Sequence, residues 1–310
     1  MTMTPGKEGT AVLFLIFNRP DTTKRVFEAI KAARPPRLYV AADGPRPDRS
    51  GEAEKCAQAR LIVEEIDWPC EVLTLFRDVN LGCRNAVSGA ITWFFQQEEE
   101  GIILEDDCLP GPSFFHFCQL MLEKYRHSPQ IMHIGGNNFL SNETDVPEAS
   151  HYFSRFNHIW GWATWRRAWE KYDPTLRTLP IYLQSNITSN QFGSNFSQYY
   201  WLVKFIDTYH GKIDTWDYQW TFCIWRCNGL SITPDVNLVS NIGFNQQATH
   251  VVRDSRLLGN RPVAKVALWK DVPASVNTLA DDRVDLAVFG LGLFKKLAMY
   301  LIYRFKLFVL

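Results

Sequence analysis

A chain of 310 residues can bury a large core, in one catalytic domain with extensions or in two small domains. Its 33 Lys+Arg balance 33 Asp+Glu, and a formal net charge of zero argues against bulk attraction to nucleic acid, so no nucleic-acid partner is expected. The seven Cys form no CxxC pair and the first ten residues hold no apolar signal segment, which together predict reduced thiols in a cytoplasmic protein.

In chain order, Ala11 to Phe17 is a continuous apolar run, as expected for a strand buried on both faces. Asn18-Arg19-Pro20-Asp21 is a turn, with Asp21 as N-cap of a helix over about Thr22 to Ala33. Arg37 to Ala42 is a second strand ending at Asp43-Gly44-Pro45, and Glu52 to Ile66 reads as an amphipathic helix. Cys70 to Phe76 is a third strand, and Asn80-Leu81-Gly82 leads into a helix over about Cys83 to Gln97. Gly101 to Leu104 is a fourth strand, ending in Glu105-Asp106-Asp107. Pro110-Gly111-Pro112-Ser113 then opens a long helix with Phe114, Phe117, Leu120 and Met121 on its apolar side.

Beyond Ile131 the pattern loosens. A short strand over Met132 to Ile134 precedes Gly135-Gly136-Asn137-Asn138 and the aromatic block Trp160-Gly161-Trp162-Ala163-Thr164-Trp165. Gln184 to Gln198 reads as a polar loop, Trp216 to Cys227 as a helix, and Pro234 to Gly243 as a strand and turn. Leu286 to Leu310 is mostly apolar but interrupted by Lys295, Lys296, Arg304 and Lys306. Charge in a bilayer core is expensive, so a spanning helix is not expected. An interfacial amphipathic helix on an anionic leaflet fits better, with a helix docked on its own domain as the alternative.

Strand–helix alternation predicts an α/β fold: a doubly wound, mostly parallel sheet with helices on both faces. In such sheets ligands sit outside the carboxyl ends of the strands, where Arg19, Asp43 and the acidic triplet all fall. Three carboxylates at the end of a buried strand repel one another and resist desolvation. A divalent cation, Mn²⁺ or Mg²⁺, carrying a phosphate-bearing substrate is the occupant whose chemistry suits hard carboxylate oxygens. Neither GxGxxG, GxxxxGK[ST] nor GxSxG occurs, which disfavours NAD-type dinucleotide sites, P-loop NTPases and nucleophile-elbow hydrolases.

The stretch Ile103-Leu104-Glu105-Asp106-Asp107-Cys108-Leu109-Pro110-Gly111-Pro112-Ser113-Phe114-Phe115 resembles the GT-A class of nucleotide-sugar glycosyltransferases. It is similar above all to the N-acetylglucosaminyltransferase I family and its bacterial family-2-like relatives. The resemblance follows the order of elements from Ala11 to His250 and is close only around the triplet. It implies a GT-A fold, a nucleoside diphosphate sugar donor (a UDP-sugar in that family), a glycan or lipid-linked acceptor, and a metal. By position it implies Asp107 as metal ligand, Glu105 and Asp106 as donor-facing groups, Arg19 as a nucleotide contact and Asp43 as reader of the uracil edge. An Asp-Gly-Pro turn is the plainer reading of Asp43. The family's base lies in a Trp-Asp-Asp-Trp segment. Thr215-Trp216-Asp217-Tyr218-Gln219-Trp220 keeps one carboxylate, so Asp217 is the expected catalytic base, with Asp214 second. Thr249-His250 matches a late Ser/Thr-His element near the phosphates. Independently of the family, Arg84 is placed to reach a diphosphate, and Trp162 either walls the donor sugar or packs in the core.

The expected organisation is 1–130 as the donor-binding half, 131–260 as the acceptor-binding and catalytic half, and 261–310 as an extension with the amphipathic helix. The expected activity is metal-dependent transfer of a hexosyl or N-acetylhexosaminyl group to an acceptor hydroxyl, with inversion. Two alternatives stand beside it: a sugar-1-phosphate nucleotidyltransferase, and a non-catalytic carbohydrate-binding module at a membrane surface. The first usually needs a Gly-rich basic loop after its first strand, which Asn18-Arg19-Pro20 does not supply.

Overall fold

A computed structural model describes residues 9–140, 149–185, 198–244, 259–266, 270, 272–289 and 293–309. The strands are β1 (Ala11–Ile16), β2 (Arg37–Ala42), β3 (Glu71–Phe76), β4 (Glu100–Glu105), β5 (Cys108–Pro110), β6 (Ile131–Gly135), β7 (His151–Ser154), β8 (Trp162–Trp165), β9 (Leu230–Pro234) and β10 (Val239–Asn241). The helices are α1 (Pro20–Ala33), α2 (Glu52–Arg60), α3 (Gly82–Gln97), α4 (Phe114–Tyr125), α5 (Arg166–Trp169), α6 (Leu179–Gln184), α7 (Gln198–Tyr209), α8 (Asp217–Arg226), α9 (Thr278–Phe289) and α10 (Leu293–Val309).

Eight strands form one mixed sheet in the order β3-β2-β1-β4-β8-β6-β9-β7, and β10 pairs with β5 beside it. Pairings among β3, β2, β1 and β4 are parallel, as is β6 with β9, while β8 runs antiparallel to both β4 and β6. The α/β, doubly wound, mostly parallel architecture expected of a GT-A-type chain is therefore present, with helices on both faces. Alternation along β1 shows how: Ala11, Leu13 and Leu15 enter one core with α3 residues Ile91 and Phe94, and Val12, Phe14 and Ile16 enter the other with Phe27 of α1 and Phe117 of α4. A strand with both faces covered needs apolar residues at every position, which is why β1 reads as an unbroken apolar run.

Two local expectations change. Pro20, not Thr22, begins α1: its fixed φ suits the first helical position, so Arg19 takes the cap and Asp21 falls in the first turn. The helix expected over Glu52 to Ile66 stops as an α-helix at Arg60, and Leu61–Glu65 tightens into a 3₁₀ turn that buries Ile62 and leaves Leu61 exposed. The register carries the functional consequence. Leu15 lies opposite Glu105 and Ile16 opposite Ala42, so β1, β2 and β4 end level.

At the far end, buried Asp281 anchors α9 by accepting bonds from Ser154 Oγ (2.5 Å), Arg155 N (3.0 Å) and Arg155 Nε (2.9 Å). α10 lies on α7 through Tyr199 against Tyr300 and Tyr303 (ring centroids 4.9 and 5.1 Å apart) and through the Lys306–Asp207 ion pair. Among the described residues no single helix is long and apolar enough to cross a membrane.

Candidate active site

The level ends of β1, β2 and β4 put Phe17–Arg19, Asp43 and Glu105–Asp107 on one edge. Asp106 ties two of these ends together by accepting a bond from Phe17 N (3.2 Å). Arg19 closes the same gap: its Nη1 is 2.6 Å from Asp107 Oδ2 and 3.7 Å from Asp106 Oδ1. Burial works against the Arg19 charge, but Asp106 and Asp107 prevail and hold the guanidinium more firmly protonated than usual. The carboxylates show the opposite strain. Burial raises the Glu105 carboxyl well above the usual range, and Asp107, Asp106 and Asp217 push it further, against Arg19. Burial and Asp107 likewise push Asp106 up to about 7.

Asp217 is the first residue of α8, where a carboxylate is favoured by the helix dipole, and Thr215 Oγ1 donates to it. Asp214 lies slightly apart: it is exposed and sits 3.8 Å from Arg84 Nε across the start of α3. Gly82 permits this approach, because it holds φ +77° and a Cβ there would lie 3.0 Å from Asp214 Oδ2. Gly243 does the same behind the triplet: a side chain at that position would overlap Asp107, whose carbonyl accepts the Ile242 N–H at 2.8 Å.

Asp43 is committed elsewhere. Its Oδ1 accepts from Gly44 N (3.0 Å) and Leu81 N (3.0 Å), and its Oδ2 from Leu81 N (3.1 Å) and Gly82 N (3.2 Å). It fastens the end of β2 to the turn that starts α3. Trp162 requires a correction. Expected to face the donor, it is 0% exposed in the centre of the sheet. Its ring is stacked by His133 at 5.1 Å and by Trp216 at 5.5 Å, which leaves no face for a sugar. His250 and Thr249 lie outside the described residues.

Two residues at this edge had no signal in the sequence. Glu52, the first residue of α2, accepts from Asn18 Nδ2 (2.8 Å) and Arg46 N (2.7 Å) and pairs with the Arg46 guanidinium. Those Arg46 bonds, against the effect of burial, lower the Glu52 carboxyl to about 2. Arg46 also lies 5.6 Å over the Phe17 ring. Only the tertiary meeting of the loops after β1 and β2 makes this pair visible. A separate cavity of about 770 Å³ runs between α3 and α5, lined by Ser88, Trp93, Trp169 and Tyr172 and by none of the triplet.

The donor set suits a hard divalent cation in one respect: three clustered carboxylates facing a single Arg19 leave negative charge for a cation to offset. Among the described residues no group of three His, Cys, Asp or Glu is arranged to hold an ion by itself.

No protein-family model and no curated protein matches the chain. Among solved structures it is similar to HddC from Yersinia pseudotuberculosis (12% identity over 53% of this chain and 80% of that one, TM-score 0.33). It is also similar to the inositol-1-phosphate CTP transferase from T. maritima (11% identity, 53% and 74%, TM-score 0.32). A third is mouse xyloside xylosyltransferase 1 in its apo form (9% identity, 69% and 80%, TM-score 0.36). Likenesses this remote assign neither an activity nor a residue.

Proposed function

We propose that the chain is a glycosyltransferase that moves a sugar from a nucleoside diphosphate sugar, with a UDP-sugar the first donor to try, to the hydroxyl of a glycan or lipid-linked acceptor. The observation that carries this reading is the meeting of Arg19 and the acidic triplet at one sheet edge. Arg19 leaves Asp107 for the diphosphate when donor binds, since a phosphate offers the same bidentate oxygens with more charge. Arg84 approaches the diphosphate from the start of α3. Glu105 and Asp106 meet the ribose and sugar hydroxyls, and Asp43 holds the turn that walls the nucleotide. A divalent cation held by Asp107 supplies positive charge to the leaving diphosphate. Asp217 takes the acceptor hydroxyl's proton as that oxygen bonds to the anomeric carbon and the bond to the diphosphate breaks. Displacement from the opposite face inverts the anomeric configuration.

The test is a thermal shift against nucleotides with and without Mn²⁺, followed by release of free UDP from UDP-sugars. A UDP shift that requires the metal, with Asp107→Ala folded but silent, supports the reading. A shift with nucleoside triphosphates alone, or release of pyrophosphate from a triphosphate and a sugar 1-phosphate, replaces it with nucleotidyl transfer. Donor binding without turnover leaves a carbohydrate-binding module.

A further inference from the structure

α10 is apolar on two opposite sides. One side lies on α7 through Tyr300 and Tyr303. The other carries Phe294, Leu297, Leu301 and Phe305, which are 90%, 49%, 60% and 72% exposed. At helical spacing these four form one stripe along the side opposite Tyr303, with Tyr300 at its flank. A helix held only by its own domain needs a single apolar face. A second one, with two Phe and two Leu in water, is unfavourable unless something covers it.

Charge identifies the cover. α10 holds Lys295, Lys296, Arg304 and Lys306 and no acidic residue. Lys296 and Lys306 turn inward to Asp285 (3.4 Å) and Asp207. Lys295 and Arg304 are exposed at the two margins of the stripe. A second copy of this chain would set basic margins against basic margins, whereas a negatively charged lipid surface complements both the stripe and its rims.

We infer that this face of α10 docks on the surface of an anionic bilayer, with the helix lying in the interface plane. It lies on the surface rather than crossing it, because no single helix among the described residues is long and apolar enough to span a bilayer and α9, which precedes it, is held to the domain by buried Asp281. The surface is independent of the transferase chemistry, and so is its test.

The full chain is sedimented with phosphatidylcholine vesicles, with and without one quarter phosphatidylglycerol. The expected result is binding to the anionic vesicles that weakens with added salt and is much weaker on phosphatidylcholine alone. Phe294→Gln/Leu301→Gln/Phe305→Gln removes the stripe without touching the α7 contact, so its melting temperature stays near the wild-type value. Its partition falls at least about tenfold. Lys295→Gln/Arg304→Gln loses the preference for anionic lipid. Failure of the wild type to bind anionic vesicles at low salt overturns the inference. So does concentration-dependent dimerisation that the triple variant abolishes while vesicle binding is absent, because the stripe is then an interface between copies.

Discussion

Replacing Arg19 with Met tests whether the site balances its own charge. The side chain keeps its length and loses its cation. Arg19 donates to Asp107 at 2.6 Å and stands 3.7 Å from Asp106, with only 29% of its side chain exposed. A charge-assisted hydrogen bond in such surroundings contributes about 1.5–3 kcal/mol, and Arg19→Met also leaves three neighbouring carboxylates without their nearest counter-charge. Urea denaturation of the metal-free variant is expected to show a loss of about 2–3 kcal/mol with an unchanged m-value. Asp107→Asn alone is expected to be nearly neutral, since it breaks one bond but relieves repulsion on Glu105 and Asp106. In the Asp107→Asn background the cost of Arg19→Met should shrink by about 1–2 kcal/mol, a coupling of the size found for contacting charged residues. Mn²⁺ should restore stability to Arg19→Met more than to the wild type, because in the variant the ion meets no competing guanidinium. Strict additivity of the two substitutions, with no differential effect of Mn²⁺, would refute the idea that Arg19 is the resident cation of the triplet.

Asp217→Asn should lower turnover by about 10²–10⁴-fold while leaving donor affinity and melting temperature close to wild type, whereas Asp214→Asn should cost less than about tenfold. Steady-state kinetics beside a donor-induced thermal shift separates the two. Glu52→Gln probes acid stability. The Glu52 carboxyl is lowered to about 2, so its contribution is full above its usual value near 4.5 and fades as pH falls toward 2. Arg46 is about one-third exposed, which reduces the effect to about 1–2 kcal/mol at pH 6. The gap between wild type and Glu52→Gln should therefore narrow as unfolding is followed from pH 5 to pH 3. Glu98→Ala should cost about 3–5 kcal/mol in chemical denaturation, since it strands buried Arg37 (Nε to Oε1, 2.8 Å) and removes the acceptor of Tyr39 OH (2.9 Å).

The central strands of the parallel half were legible because burial on both faces forces a short apolar run, here bounded by turn residues. β1 and β2 are examples: every residue of both is buried. Their turns were legible for the same reason, as the chain becomes polar where it leaves the sheet. Sidedness was not legible. Trp160-Gly161-Trp162 reads alike as a sugar platform or as core, and only the pairing of Ile103 with Trp162 in mid-sheet decides for core. Partner choice was not legible either. Arg19 and Asp43 could be placed at the edge from the order of strands, but whether each faces a ligand or a neighbour depends on angles that a linear pattern does not carry.

That second gap bears on how the site would work. In the structure Arg19 faces Asp107, Arg46 faces Glu52, Arg84 faces Asp214, and Asp43 accepts from the backbone amides of Gly44, Leu81 and Gly82. Each group that would greet an anionic donor is paired internally. Binding is then an exchange of partners, and its net gain is the difference between a phosphate and the carboxylate it displaces. Such exchange favours a ligand that brings positive charge along with its phosphates: when Arg19 leaves the triplet, Glu105, Asp106 and Asp107 lose the cation that offsets their repulsion. A nucleotide entering alone would uncover that repulsion, while a nucleotide entering with a divalent ion would relieve it. On the proposed function the triplet would couple nucleotide affinity to the metal, and the coupling should be reciprocal: Mn²⁺ should tighten UDP by the same factor by which UDP tightens Mn²⁺, and Arg19→Met should diminish that factor.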